Sequence, residues 1–185
     1  MKKINIIYGL GILTLLSMTA CKRTLPSPGQ TMAQNAAGNW WVTLQQGSTT
    51  LSPYFFLTTY NTSSNTEDSI WVDDPLQSLN ADLDGGNLVY YTYGISYASF
   101  KVKAGLQYTA LTFSGTNLEN NYWSGDTSSS ETLSIYNGRV FPKGTTSRTG
   151  VKTDSIYFQI VFSKNPVDTF VVSGYARTGQ IDDDN

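Results

Sequence analysis

From Gly38 onward, apolar and polar side chains change places at every second residue. This is the spacing of a strand with one buried face, and it does not suit a helix. Trp40, Val42 and Leu44 alternate with Trp41, Thr43 and Gln45. Tyr54, Phe56, Thr58 and Tyr60 alternate with Phe55, Leu57 and Thr59. The same style returns at residues 70–72, 100–104, 108–113, 132–136, 156–162 and 170–176. β-branched and aromatic residues fill these runs, as strands prefer. No segment carries helical spacing over three turns. Turn-forming residues punctuate the runs, among them Gln46-Gly47-Ser48, Asp84-Gly85-Gly86-Asn87, Ser114-Gly115 and Asn165-Pro166. Asn137-Gly138 reads as a tight hairpin, because both residues tolerate positive φ. Asp68-Ser69 and Asp154-Ser155 each precede an apolar run and read as strand entries. About eight strands in sequence predict an all-β chain, closed as an antiparallel eight-stranded up-and-down β-barrel. A two-sheet sandwich is the alternative.

Ahead of the strands stands Cys21, the one cysteine. Lys2 and Lys3 are followed by an apolar run to Leu16, and Ser17-Met18-Thr19-Ala20 leads into the cysteine. A basic start, a short apolar core, small residues and a cysteine form the layout of a bacterial lipoprotein signal peptide. Met18 departs from the usual leucine. As an uncleaved anchor, the stretch 4–20 is at or below the length that crosses ~30 Å of hydrocarbon. The expected organisation is a signal peptide at 1–20, a lipidated Cys21 with a flexible tether to residue 37, and a barrel domain at 38–185. Several acyl chains would hold the protein at a membrane where one would be marginal. The expected location is the cell envelope, on the outer membrane, with the leaflet left open.

The chain carries a formal net charge of −2 and no basic run, which disfavours nucleic acid as a partner. It has no histidine, and its one cysteine is assigned to acylation. Ser-His-Asp and Cys-His catalysis are therefore excluded, as are ordinary zinc and copper sites. Gly94-Ile95-Ser96-Tyr97-Ala98 approaches a nucleophile elbow, but lacks both the histidine and the strand-to-helix turn. Asp82-Leu83-Asp84-Gly85-Gly86-Asn87 fails as an EF-hand, because Asn87 and Tyr93 stand where Gly and Glu are needed. Glu67, Asp68, Asp73, Asp74, Glu119, Glu131, Asp154 and Asp168 could form a glycosidase-like pair only if the fold brought two together. No catalytic residue, metal site or cofactor is nominated. The acidic end, residues 182–184, reads as a frayed solvated tail.

An ordered set of short motifs spans 38–184. It comprises Gly38-Asn39-Trp40-Trp41-Val42, Tyr60-Asn61-Thr62, Asp68-Ser69-Ile70-Trp71-Val72-Asp73-Asp74, Phe100-Lys101-Val102-Lys103, Tyr136-Asn137-Gly138, Asp154-Ser155-Ile156 and Gly174-Tyr175-Ala176-Arg177-Thr178-Gly179. The set resembles a family of small bacterial lipoproteins labelled "lipid-binding putative hydrolase". The resemblance implies a calycin-like barrel and joins a binding role to an unproven enzymatic one. Gly38-Asn39-Trp40 also resembles the first strand of lipocalins, in which a basic residue packs across the tryptophan. By that likeness Trp40 and Arg177 form a barrel-closing pair, with ~0.5–2 kcal/mol from a guanidinium over an indole.

Twelve tyrosines, eight phenylalanines and four tryptophans give the barrel bulky walls. Phe56, Val72, Phe100, Val102, Phe158, Ile160, Phe170 and Val172 are the candidate inward face. They either fill the core or line a ligand cavity, since eight strands enclose just enough space for side chains or for one small ligand. Tyr90, Tyr91, Tyr93, Tyr97, Tyr122 and Trp123 could line a mouth or pack in loops. The expected function is binding of a small apolar or amphipathic, lipid-like molecule. The alternatives are a carboxylate-pair hydrolase, or a glycan-binding or accessory protein with a filled core and an envelope partner.

Overall fold

The structure is a computed structural model that describes residues 30–79, 98–122 and 131–184. Cys21, the signal segment, the tyrosines at 90, 91, 93 and 97, Trp123 and the Asp82 and Gly94 motifs' main parts lie outside the described residues. The folded unit begins at Thr31.

Nine strands are described: β1 Gly38–Gln46, β2 Thr49–Thr50, β3 Phe55–Asn61, β4 Ser69–Asp73, β5 Lys101–Gln107, β6 Thr112–Glu119, β7 Thr132–Thr146, β8 Lys152–Phe162 and β9 Phe170–Ala176. β2 only extends the turn after β1, pairing Gln45 with Thr50. The other eight form an antiparallel meander, and β9 returns to pair with β1 from Trp40↔Ala176 to Gln45↔Val171. The result is the closed eight-stranded barrel that the alternation predicts; closure removes exposed sheet edges.

The barrel's core holds Trp40, Val42, Leu44, Ile135, Ile156 and Phe162, each at most 1% exposed. Packing begins earlier than the expected boundary at Gly38. Ala33 and Ala36 are buried in the same core, and the Thr59 hydroxyl donates to the Ala36 carbonyl at 2.7 Å. The turn at 31–37 is small and alanine-rich, so it tucks beneath the barrel instead of extending the tether.

Three turn assignments shift, the first being Ser114-Gly115, which lies inside β6. Asn137-Gly138 is no hairpin: both lie inside β7, where Tyr136↔Gln159 and Arg139↔Tyr157 leave one extra residue in β7. Asn137 takes φ 54°, so the pair's tolerance of positive φ serves a β-bulge. A Cβ on Gly138 would meet the Phe113 carbonyl at 2.4 Å, so this close approach requires glycine. The hairpin lies beyond it, where the Ser147 N–H donates to the Val151 carbonyl at 2.8 Å. Asp154-Ser155 likewise lies within β8, and the Asp154 carboxylate accepts the Lys143 N–H at 2.7 Å.

The acidic end is docked. Asp183 is buried and accepts the Thr149 N–H and hydroxyl at 2.8 Å each and the Thr178 hydroxyl at 2.6 Å. Burial acts to raise its pKa, but the Thr178 and Thr149 donors outweigh it and hold the carboxyl down to about 2. Asp184 binds Arg177 and accepts the Trp41 indole N–H at 3.2 Å. Arg177 therefore does not lie across Trp40, whose indole donates instead to Thr59 at 2.9 Å. Trp40 points inward and the guanidinium stays outside, so the closing group is the Trp41–Asp184–Arg177 cluster.

Two predictions follow from closure. A Cβ on Gly174 would stand 1.9 Å from the Trp41 carbonyl across the β1–β9 seam, whereas one on Gly105 meets nothing closer than 3.4 Å. Gly174→Ala is expected to cost about 3 kcal/mol or more, and Gly105→Ala under ~1 kcal/mol, in urea denaturation. Equal losses would contradict the seam geometry. Asp183's folded value lies below its ordinary one, so its stabilisation is complete above pH 3.8 and is lost as pH falls through about 2. Asp183→Asn should lower the melting temperature at neutral pH, and the deficit should vanish in strong acid.

Candidate functional site

The barrel has two ends. One carries the chain's entry at Thr31 and the β7–β8 hairpin; the other carries the β4–β5 and β6–β7 connections. The second, here the loop end, gathers buried polar groups. Asp74 accepts the Ser78 and Leu79 N–H groups at 3.1 and 3.3 Å. Asn120 donates to the Ser99 carbonyl at 2.9 Å and accepts the Lys101 N–H at 3.0 Å and the Tyr122 N–H at 3.3 Å. One amide thus sets the positions of Lys101 and Tyr122. Burial pushes the Asp74 carboxyl up, opposed by the Ser78, Ser99 and Leu79 donors.

On the outer wall beside this end, Tyr122 and Lys101 meet Asp73. Asp73 is only 6% exposed although it points away from the core. Its Oδ2 accepts the Tyr60 hydroxyl at 2.6 Å and lies 3.6 Å from the Lys101 ammonium, while Oδ1 accepts the Tyr122 hydroxyl. Lys101 Nζ stands 5.7 Å from the Tyr60 ring centre and 5.6 Å from that of Trp71, within cation–π range. Burial, then the Asp73 contact, raises both tyrosine pKa values. Register explains the assembly: Thr58↔Asp73↔Lys101 form one cross-strand row, and Tyr60↔Trp71↔Lys103 the next.

One row further along β3 comes Phe56. It is half-buried, while Phe55 and Leu57 are buried opposite Val42 and Trp40. The sequence put Phe56 inward because residues 54–57 are apolar on both phases; the tryptophan and valine across the ladder decide the phase. Phe56 instead packs edge-on against Trp41, with ring centres 5.5 Å apart. Together with Tyr54, Pro53 and Leu76 these rings line a cleft of about 230 Å³. Leu76 is 63% and Tyr54 45% exposed, so the cleft has an apolar rim. The Trp41 wall is fixed from behind by Asp184.

The other seven candidates, Val72, Phe100, Val102, Phe158, Ile160, Phe170 and Val172, are all fully buried. Phe158 meets Phe100 and Phe113 edge-to-face, with ring centres 6.3 and 5.6 Å away, and Phe170 meets Phe162 at 5.8 Å. None of the seven lines any of five clefts on the described surface. The largest of these clefts, about 560 Å³, lies over Gly105 and Gly138 and is walled by Asp68, Gln107, Ser114, Asn137 and Arg139. Leu106 and Phe113 also line it but are buried, so its exposed walls are more polar than those of the aromatic cleft, where Tyr54 and Leu76 are exposed. Among the described residues no three acids gather as a metal site. Asp73 ends β4 and is engaged by Tyr60, Tyr122 and Lys101, whereas Asp74 begins the next turn and is engaged by Ser78 and Leu79, so the two neighbours do not make a hydrolytic pair.

The sequence profile of a family described as "Lipid-binding putative hydrolase" matches residues 25–181. The chain belongs to this family. A search of curated proteins finds no match. For a lipid-binding family member, the aromatic cleft and its neighbouring charge are the pertinent chemistry. The sequence singled out Asp73, Tyr122 and Phe56 but overlooked Lys101, Trp71, Trp41 and Leu76. Alternation does place Trp71 and Asp73, and Lys101 and Lys103, on common faces; pairing β4 with β5 would have joined them.

Glu131 is a separate anomaly of the loop end. It is 2% exposed, and among the described residues neither carboxylate oxygen has a hydrogen-bond partner in good geometry. Burial raises its pKa, with the Lys164 charge opposing. A raised folded value means stability is lost as pH climbs above the ordinary 4.5. Glu131→Met should therefore stabilise the protein by about 1–3 kcal/mol at pH 8. The gain should disappear in denaturation run below pH 4.5; a pH-independent gain would contradict it.

Proposed function

We propose that the protein is an envelope lipoprotein, held at the outer membrane by acylated Cys21, that binds a small lipid-like molecule on the barrel's outer wall. The supporting observation is the aromatic cleft of Trp41, Tyr54, Phe56 and Leu76 in a chain of a lipid-binding family. At about 230 Å³ the cleft falls below the ~300–1,000 Å³ that encloses a drug-sized ligand. It therefore suits one acyl segment and leaves the head group outside. Rings already in place spare the ligand an ordering cost, which favours binding.

Monodecanoylglycerol, titrated below its aggregation threshold and followed by tryptophan fluorescence, is the test. Saturable binding is expected, and Phe56→Ser should weaken it about tenfold, the ~1.4 kcal/mol of a lost apolar contact. Val167→Ser, at an exposed residue outside the cleft, should leave affinity unchanged. Absence of saturation, or an unaltered Phe56 variant, overturns the proposed site. Anchoring is tested separately: the mass of the N-terminal peptide should include acyl chains on Cys21, and Cys21→Ser should move the protein from the membrane to the soluble fraction.

A further inference from the structure

The cleft is not apolar on all sides. Phe56 is separated from Lys101 by two strand spacings and one row of the outer face, about 12 Å from sheet geometry. An acyl chain lying in the cleft would reach the Asp73–Lys101 row with its head group. The groups waiting there carry a specific bias. Asp73 has both oxygens engaged by tyrosine hydroxyls and is 6% exposed, so its carboxylate is covered. The Lys101 side chain remains 33% exposed and its ammonium has three donors to share. Lys103, exposed and two residues along the same strand, adds a second positive charge, tempered by Asp68. Against these two cations stand two carboxylates, Asp73 covered by its tyrosines and Asp68 beside Lys103, so the Lys101 ammonium is the exposed charge of its own row. Trp71 and Tyr60 flank the ammonium and restrict its approach.

Resting on the binding function above, we propose that Lys101, with Lys103 beside it, receives the anionic head of a single-chain amphiphile whose tail occupies the Trp41–Phe56 cleft. The head class is a carboxylate or phosphate monoester. A charge-assisted contact to a partly exposed ammonium is strong enough to discriminate by charge, and screening by salt should weaken it. Tail and head act together because neither subsite is large. Inorganic phosphate has no tail and lacks the cleft's contribution.

Calorimetric titration of the full chain with decyl phosphate, monodecanoylglycerol and inorganic phosphate tests this. Decyl phosphate should bind about fivefold to tenfold more tightly than monodecanoylglycerol at low salt, and inorganic phosphate should give no measurable heat of binding. Lys101→Met should bring the ratio of the two decyl ligands towards one, Lys101→Arg should retain it, and the distant Lys152→Met should not change it. High salt should shrink the ratio in the wild type. If both decyl ligands bind equally, or if the Lys101→Met ratio matches the wild type, head-group selection is overturned and the acyl site stands. If inorganic phosphate binds as tightly as decyl phosphate, the site is a free-anion site and the amphiphile assignment is overturned. If neither decyl ligand binds, the acyl site and this inference fall together.

Discussion

The seam between β1 and β9 is the constraint on which the other features depend. Eight strands in a meander leave two open edges until the last meets the first, and here they meet with the Gly174 Cα pressed against the Trp41 carbonyl. A side chain at 174 would push the strands apart at the middle of their ladder. Closure sets Trp41 opposite both Phe56 on β3 and Tyr175 on β9. Trp40 must then face the core, since neighbours on a strand point to opposite sides. The outer aromatic wall and the inner floor of the barrel are consequences of the same register. The C-terminal clasp reinforces it, since the Arg177 N–H donates to Asn39 at 2.8 Å and Asp184 ties Arg177 to the Trp41 indole.

The barrel was legible because the alternation is long and repeated; no helical reading competes with residues 156–162 or 100–104. Phase was legible only where one side of a strand is clearly polar. Val102 and Ala104 alternate with two lysines and point inward, as read. Residues 54–57 offer Tyr, Phe, Phe and Leu in succession, so local pattern gives no preference and Phe56 was assigned to the wrong face. The same weakness affected Asn137-Gly138. Its tolerance of positive φ was read correctly, but a bulge and a hairpin demand the same residues, and only the partner strands distinguish them.

Polar segments were harder still. Residues 182–184 have the composition of a solvated tail, yet Asp183 is among the best-satisfied side chains described, because Thr149 and Thr178 arrive from elsewhere in the chain. Arg177 looked like a partner for Trp40 by position along the sequence; the strand's two faces separate them. The Asp73 cluster takes residues from β3, β4, β5 and the β6–β7 connection. No spacing within one segment announces such a site. Its parts were visible only as two short motifs, each with charged or aromatic residues at alternate positions.

Where a lipid-like guest should sit is decided by the cost of making room. Opening about 230 Å³ among Phe100, Phe158 and their neighbours would cost about 5 kcal/mol at ~24 cal/mol per Å³. It would also forfeit edge-to-face ring contacts of about 0.5–1.5 kcal/mol each. A domain's whole stability is only about 5–15 kcal/mol. A ligand entering the core would have to offset most of that before gaining net affinity. The outer cleft asks for none of it, because Trp41 and Phe56 already stand against each other and the Asp184 tie holds the wall. It also places an acyl chain beside the Lys101 row, where charge can act on the head group, whereas the interior would strand that head among apolar side chains. On the proposed reading, an eight-stranded barrel with these rings buried would bind lipid by its wall, and its core would keep that wall rigid.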